Sequence, residues 1–139
     1  MPDSFCKRFE IAWHNPTAEK LVSLLTEDVV LYQPHRPPLR GRAAVRVEFS
    51  RLLAWLPGTY SKVMRWLEDS QEAFIEHELH FPAGSGFIRI PAVDRFILED
   101  GLAKERVVYF DRFLLFAGVL RHPSLWPGYV RYRFGGSGV

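Results

Sequence analysis

Proton transfer near neutral pH calls for a side chain that titrates there, and histidine is the usual one. In EAFIEHELHF, His77 alternates with Ile75, Leu79 and Phe81, while Glu76, Glu78 and His80 have the opposite parity. On a strand, that alternation sets His77 among the apolar, inward side chains. The next stretch, FIRIPAVDRFILED, carries Asp94, which is predicted to face the same interior from a neighbouring strand. A carboxylate touching the imidazole would orient the ring and raise its pKa, which makes an acid–base pair. Each residue has a structural reading as well. His77 reads as a hydrogen-bonded core histidine, and Asp94 as the partner of Arg106, which shares the parity of Val108 and Phe110 in LAKERVVYFDRF. Buried Asp–Arg pairs serve structure as readily as chemistry.

Gln33 is a further polar candidate, at the end of DVVLYQ and directly before Pro34. An amide can orient water or a carbonyl, but it cannot abstract a proton at neutral pH. Tyr32 has the opposite parity and should face away. His35 and Arg36 fall on the Pro-rich stretch beyond it, where closing a pocket mouth and plain solvation fit the sequence equally. His14 reads as an exposed residue at a helix C-terminus, where the macrodipole favours it. No metal site is expected, because His77 and His80 differ in parity and no close His/Asp/Glu trio shares a face. Cofactors are not expected either, since no Gly-rich phosphate loop or dinucleotide fingerprint is present.

The elements that must position these residues are legible in outline. Phe9, Ile11, Ala12 and Trp13, then Leu21, Val22, Leu24 and Leu25, recur at helical spacing around a break at His14-Asn15-Pro16-Thr17, which predicts two helices with Pro16 near the start of the second. DVVLYQ reads as a β-branched strand stopped by Pro34 and continued by a rigid loop. Gly41 precedes a third helix whose broad apolar face holds Ala44, Val45, Val47, Phe49, Leu52, Leu53 and Leu56, and Pro57-Gly58 ends it. Next come long strands joined by short turns, as in an antiparallel meander. In the tail, FLLFAGVL is predicted to be helical, Pro123, Pro127 and Gly128 to break the chain after it, WPGYVRYRF to dock, and GGSGV to be disordered.

Composition bounds the rest. The 139 residues are 47% hydrophobic and 14% aromatic, enough for the core of a single domain spanning 1–139. A net charge of +2, with acids and bases interleaved, leaves no footprint for nucleic acid. Charges in MPDSFCKRFE stand where a signal peptide needs its apolar core, and no run suits a spanning helix, so no membrane partner is expected. The lone Cys6 fits a reducing, cytoplasmic setting.

The order helix, helix, strand ending in x-Pro, loop, Gly-Arg, helix, long strands, then VDRFILEDG and VVYFD resembles the SnoaL-like polyketide cyclases, within the nuclear transport factor 2-like group that includes ketosteroid isomerase. The resemblance covers roughly residues 5 to 111 and leaves a C-terminal extension from about 112 to 139. It implies an α+β fold, a cone-shaped curved antiparallel sheet packed against three N-terminal helices. It also implies a hydrophobic small-molecule pocket at the mouth of the cone, and a homodimer across the outer sheet face. The sequence agrees with a dimer, since Val63, Trp66, Phe74, Val93, Ile97 and Val107 would otherwise leave apolar side chains on both faces.

Carried over residue by residue, the isomerase base falls on Gln33 and its helix tyrosine on Phe9. Its protonated aspartic acid matches Asp94. The epoxide hydrolases of the group place an asparagine at Gln33, a tyrosine at Leu31 and a last-strand acid at Val108, while Trp13-His14 falls near a Tyr-Asp pair of the dehydratases. Gln33, Phe9 and Val108 disfavour both steroid isomerisation and epoxide hydrolysis by the known mechanisms. The reading is a cofactor-independent acid–base enzyme for a hydrophobic carbonyl or polycyclic molecule, of cyclase, isomerase or dehydratase type. In it His77 is the base, Asp94 orients His77 or donates to an oxyanion, and Gln33, Phe9, Trp13, Leu31, Leu79, Arg106, Val108 and Phe110 surround the substrate. A non-catalytic protein holding an apolar ligand in the same pocket is the alternative.

Overall fold

A computed structural model describes residues 3–135. Helix α1 (Phe5–His14) opens with Ser4, whose hydroxyl accepts from the Lys7 amide, and α2 (Ala18–Val22) opens with Thr17, which accepts from the Lys20 amide. Both are side-chain caps of the usual kind. Strand β1 (Leu25–Gln33) and strand β2 (Arg36–Arg40) form a hairpin, and α3 (Arg42–Trp55) starts from Gly41, whose φ of 91° suits glycine. Strands β3 (Tyr60–Glu68), β4 (Glu72–Ala83), β5 (Gly86–Glu99) and β6 (Leu102–Tyr109) are an antiparallel meander. The turn into β6 has positive φ at Asp100 and at Gly101, as a two-residue hairpin turn needs. Helices α4 (Arg112–Leu120) and α5 (Trp126–Phe134) close the chain.

The six strands make one curled, unclosed sheet in the order β2-β1-β6-β5-β4-β3. Burial alternates along β4 from Glu72 to Glu78 and along β5 from Ile88 to Phe96, as the sequence pattern requires of a sheet covered on one side, while His80, of the outward parity, is buried as well. Phe5, Phe9 and Trp13 from α1 and Val45 and Phe49 from α3 meet Ile75, Ile90, Phe96 and Val108 of the sheet in a single core. This is the expected α+β arrangement, with four differences. The second helix ends at Val22, and Leu25, expected on its apolar face, opens strand β1.

The supposed Pro-rich loop is strand β2, with Leu39 opposite Leu31 and Arg40 opposite Val30. It is an edge strand, and Pro37 and Pro38 fall between Arg36 and Leu39, where the β1–β2 register shifts. Strand β1 joins the meander in parallel, against β6. Pro127 lies in the first turn of α5 and begins a helix instead of breaking one. The tail is docked: Trp55 stacks on Tyr132 with ring centroids 5.1 Å apart, and a Cβ on Gly128 would meet Trp55 Cδ1 at 2.4 Å. Within GGSGV, residues 136–139 lie outside the described residues.

Candidate active site

Between the concave face of the sheet, α3 and the two C-terminal helices lies a small cavity of about 40 Å³. Trp13, Phe49, Leu52, Leu79, Phe81, Val108, Phe110 and Leu115 make most of its wall apolar. Its polar wall consists of Gln33, His35, Arg106 and Tyr132, with Trp55 beside them. Two buried clusters stand behind those groups.

The first cluster grows from strand register. Ile75 lies opposite Asp94 and Val63 opposite His77, so the inward faces of β3, β4 and β5 coincide. Ser61 Oγ is 2.6 Å from His77 Nδ1, and His77 Nε2 is 3.0 Å from Asp94 Oδ1. Asp94 Oδ2 accepts from Arg106 Nε at 2.9 Å and lies 2.7 Å from Nη2. Burial works to raise the Asp94 pKa, but the Arg106 guanidinium and His77 outweigh it and hold the carboxyl below its ordinary value. An ionised carboxylate only accepts, so His77 carries its proton on Nε2. The guanidinium lies 5.5 Å from the centroids of both Phe9 and Trp13, an aromatic collar that suits a weakly hydrated cation.

The second cluster joins distant segments. His35 Nε2 is 2.8 Å from the Tyr132 hydroxyl, which donates a short bond to Glu48 Oε2. Glu48 is 2% exposed and paired with Arg36, whose Nε lies 3.2 Å from Oε1. Arg36 Nη1 also donates to the Arg133 carbonyl, tying β2 to α5. Burial pushes Glu48 up despite the Tyr132 hydrogen bond and the Arg36 charge, and burial beside Glu48 pushes Tyr132 up. Burial, with the charges of Arg36 and Arg133, lowers His35 to about 4, so it is neutral at pH 7. Because the Tyr132 proton points to Glu48, the Tyr132 oxygen accepts from His35 Nε2–H. His35 Nδ1 is then a bare lone pair. It is buried, and among the described residues it has no hydrogen-bond partner; the same holds for Gln33 Oε1 on the same cavity wall.

Of the residues expected from the sequence, Gln33, Trp13, Leu79, Arg106, Val108 and Phe110 line the cavity. Phe9 and Leu31 do not: Phe9 packs edge-on against His77 and Phe96, and Leu31 is 1% exposed within the core. His77 and Asp94 meet, but neither forms part of the cavity wall; Arg106 stands at the wall in their place. His77 has both ring nitrogens engaged, which leaves none to meet a bound molecule. His14 is exposed at the end of α1.

Sequence reasoning misses Glu48 and Tyr132 and leaves His35 undecided. A signal for His35 exists. The irregular register between Leu31 and Gln33 and the tight turn at Pro34 bring Gln33 and His35 to one side. Glu48 sits three residues after Val45 and next to Phe49, on the buried face of α3 that the apolar pattern assigns to Val47; Val47 is 39% exposed. An acid at that spacing marks a buried partner.

The SnoaL-like domain family matches residues 7–106. No curated protein sequence matches the chain. Among solved structures, an epoxide hydrolase from M. tuberculosis, of the LEH-like kind, is 20% identical over 88% of this chain and 92% of its own, with a TM-score of 0.70. A protein of ketosteroid isomerase-like fold from Catenulispora acidiphila, in complex with trimethylamine, is 12% identical over 85% of this chain and 93% of its own, with a TM-score of 0.73. TerC, co-crystallised with polyporic acid, is 13% identical over 84% and 98%, with a TM-score of 0.72. At these identities the structures share a fold, and the sequence match over residues 7–106 places the chain in the SnoaL-like domain family.

Proposed function

We propose that this protein is a cofactor-independent acid–base enzyme for a hydrophobic carbonyl or polycyclic small molecule, of cyclase, isomerase or dehydratase type. One observation carries the reading: the only guanidinium on the wall of an otherwise largely apolar cavity, among the described residues, is that of Arg106, braced from behind by Asp94. Nε and Nη2 are spent on Asp94, and Nη1 makes no hydrogen bond among the described residues. A donor on the wall of a largely apolar space stabilises negative charge developing on a carbonyl oxygen more strongly than it would in bulk water. In this reading Asp94 and His77 hold the guanidinium in place and do not meet the substrate, and Gln33 positions it. Two proteins of the same fold, crystallised with trimethylamine and with polyporic acid, support a small-molecule ligand. A cytoplasmic location and a second copy covering Leu67, Phe74 and Val93, each at least 40% exposed, complete the proposal; sedimentation tests the dimer.

A second reading, a non-catalytic binding protein, is favoured by the saturation of both His77 nitrogens. Proton–deuterium exchange at the carbons flanking the carbonyl of 2-tetralone separates the two. An enzyme catalyses that exchange and loses it on Arg106→Met. Binding of 2-tetralone without any exchange leaves only the second reading.

A further inference from the structure

We propose that His35 is the proton acceptor of this cavity, backed by Tyr132 and Glu48, and that the ligand presents an acidic enol or phenol hydroxyl, or the C–H that becomes the enol, to Nδ1. The inference rests on the acid–base reading above and adds to it the base and the substrate class. Its ground is geometric. A lone pair that is buried and unpaired forfeits a hydrogen bond, a cost that proteins ordinarily avoid. His35 stands on the wall of the same largely apolar cavity as Arg106, with Nδ1 buried in that wall. The two polar groups suit one ligand: Nδ1 takes a donor, and the guanidinium takes the oxygen on which charge collects.

The cluster behind His35 also accounts for where the proton goes. A substrate O–H or C–H bond breaks, its electron pair stays on the substrate as the enolate, and an N–H bond forms at Nδ1. The Nε2 proton passes to the Tyr132 oxygen as the Tyr132 proton passes to Glu48 Oε2, along contacts already made. His35 ends neutral as the other tautomer and Glu48 ends as a carboxylic acid. One unit of negative charge has moved from Glu48 to the substrate oxygen beside Arg106. A weakly basic imidazole suffices, since Glu48, which burial makes more basic, receives the net proton.

Tyr132 belongs to α5, beyond the residues 7–106 that the family covers, so this relay is a feature of the C-terminal extension. Gln33, with its own unpaired oxygen, flanks His35 and can accept a second ligand hydroxyl.

The test uses the full-length protein, uniformly labelled with ¹⁵N, and 2-naphthol, the aromatic counterpart of the 2-tetralone enol. Long-range histidine NMR spectra at pH 7 should show the His35 proton on Nε2, with the Nδ1 resonance moving when 2-naphthol is added. Binding of 2-methoxynaphthalene, which has no hydroxyl to donate, should be weaker by about tenfold, the worth of one hydrogen bond to a buried acceptor. Tyr132→Phe keeps the ring stack on Trp55 and should let the His35 proton distribute over both nitrogens. His35→Phe should erase the preference for the hydroxyl, so that the two naphthalenes bind this variant equally. A proton found on Nδ1 in the free protein, or equal binding of the two naphthalenes to the parent, overturns the inference. In that case, retained loss of 2-tetralone exchange in Arg106→Met would keep the pocket reading. Failure of both ligands to bind overturns the two together.

Discussion

The two buried polar clusters behind the cavity have much the same chemistry and opposite completeness. Ser61, His77, Asp94 and Arg106 form a closed chain in which both imidazole nitrogens and both carboxylate oxygens are paired. Glu48, Tyr132 and His35 form an open chain that stops at a buried, unpaired nitrogen of a residue on the cavity wall. A closed chain holds its members still, and an open one has capacity left for a ligand. The histidine that looks catalytic on its strand is therefore the one used up by structure, and the histidine on the turn is the one left free to act.

The contrast predicts unequal damage. Removing the carboxylate from the closed chain leaves the Arg106 charge buried and unpaired, so Asp94→Ala should lose about 3–5 kcal/mol in urea unfolding. The open chain should show itself through pH. His35 binds a proton in the unfolded chain below 6.5 and in the folded protein only below about 4. Between those values the unfolded state holds the extra proton, so stability falls as pH drops through the window, by at most ~3 kcal/mol from this residue. Denaturant titrations of the protein and of His35→Phe from pH 7 to 4 should differ by that slope, and parallel curves would remove the open chain's claim to a neutral imidazole.

Tyr132→Phe strips a partner from both His35 and Glu48 and should cost about 2 kcal/mol by the same unfolding measurement. The smallest effect belongs to Gln33→Leu. Its amide oxygen is already unpaired, so stability should change by less than ~1 kcal/mol, or rise, while 2-naphthol affinity falls.

The same difference sets how far each cluster can be read from the sequence. His77 and Asp94 can be placed together because alternation fixes the face of every residue on a strand, and β4 and β5 pair without interruption from Glu72 to Ala83. Their exclusion from the cavity is not legible, because parity says which face a residue takes and nothing about what stands between it and the open space. Arg106 occupies that place. The open chain is harder still: Tyr132 and Glu48 are 84 residues apart in sequence. Local periodicity carries no information on such docking. Prolines also mislead in both relevant segments, since Pro37 and Pro38 suit an edge strand and Pro127 the first turn of a helix.

The central claim is that protons leave through the open chain while the closed one supports Arg106. Exchange of 2-tetralone by His35→Phe and by His77→Gln, each compared with the parent at equal folded fraction, tests it most directly. The account predicts a loss of about 100-fold or more for His35→Phe, the usual worth of a positioned base, and a change within about tenfold for His77→Gln alongside a lowered melting temperature. Full exchange by folded His35→Phe, with exchange abolished in folded His77→Gln, would contradict it.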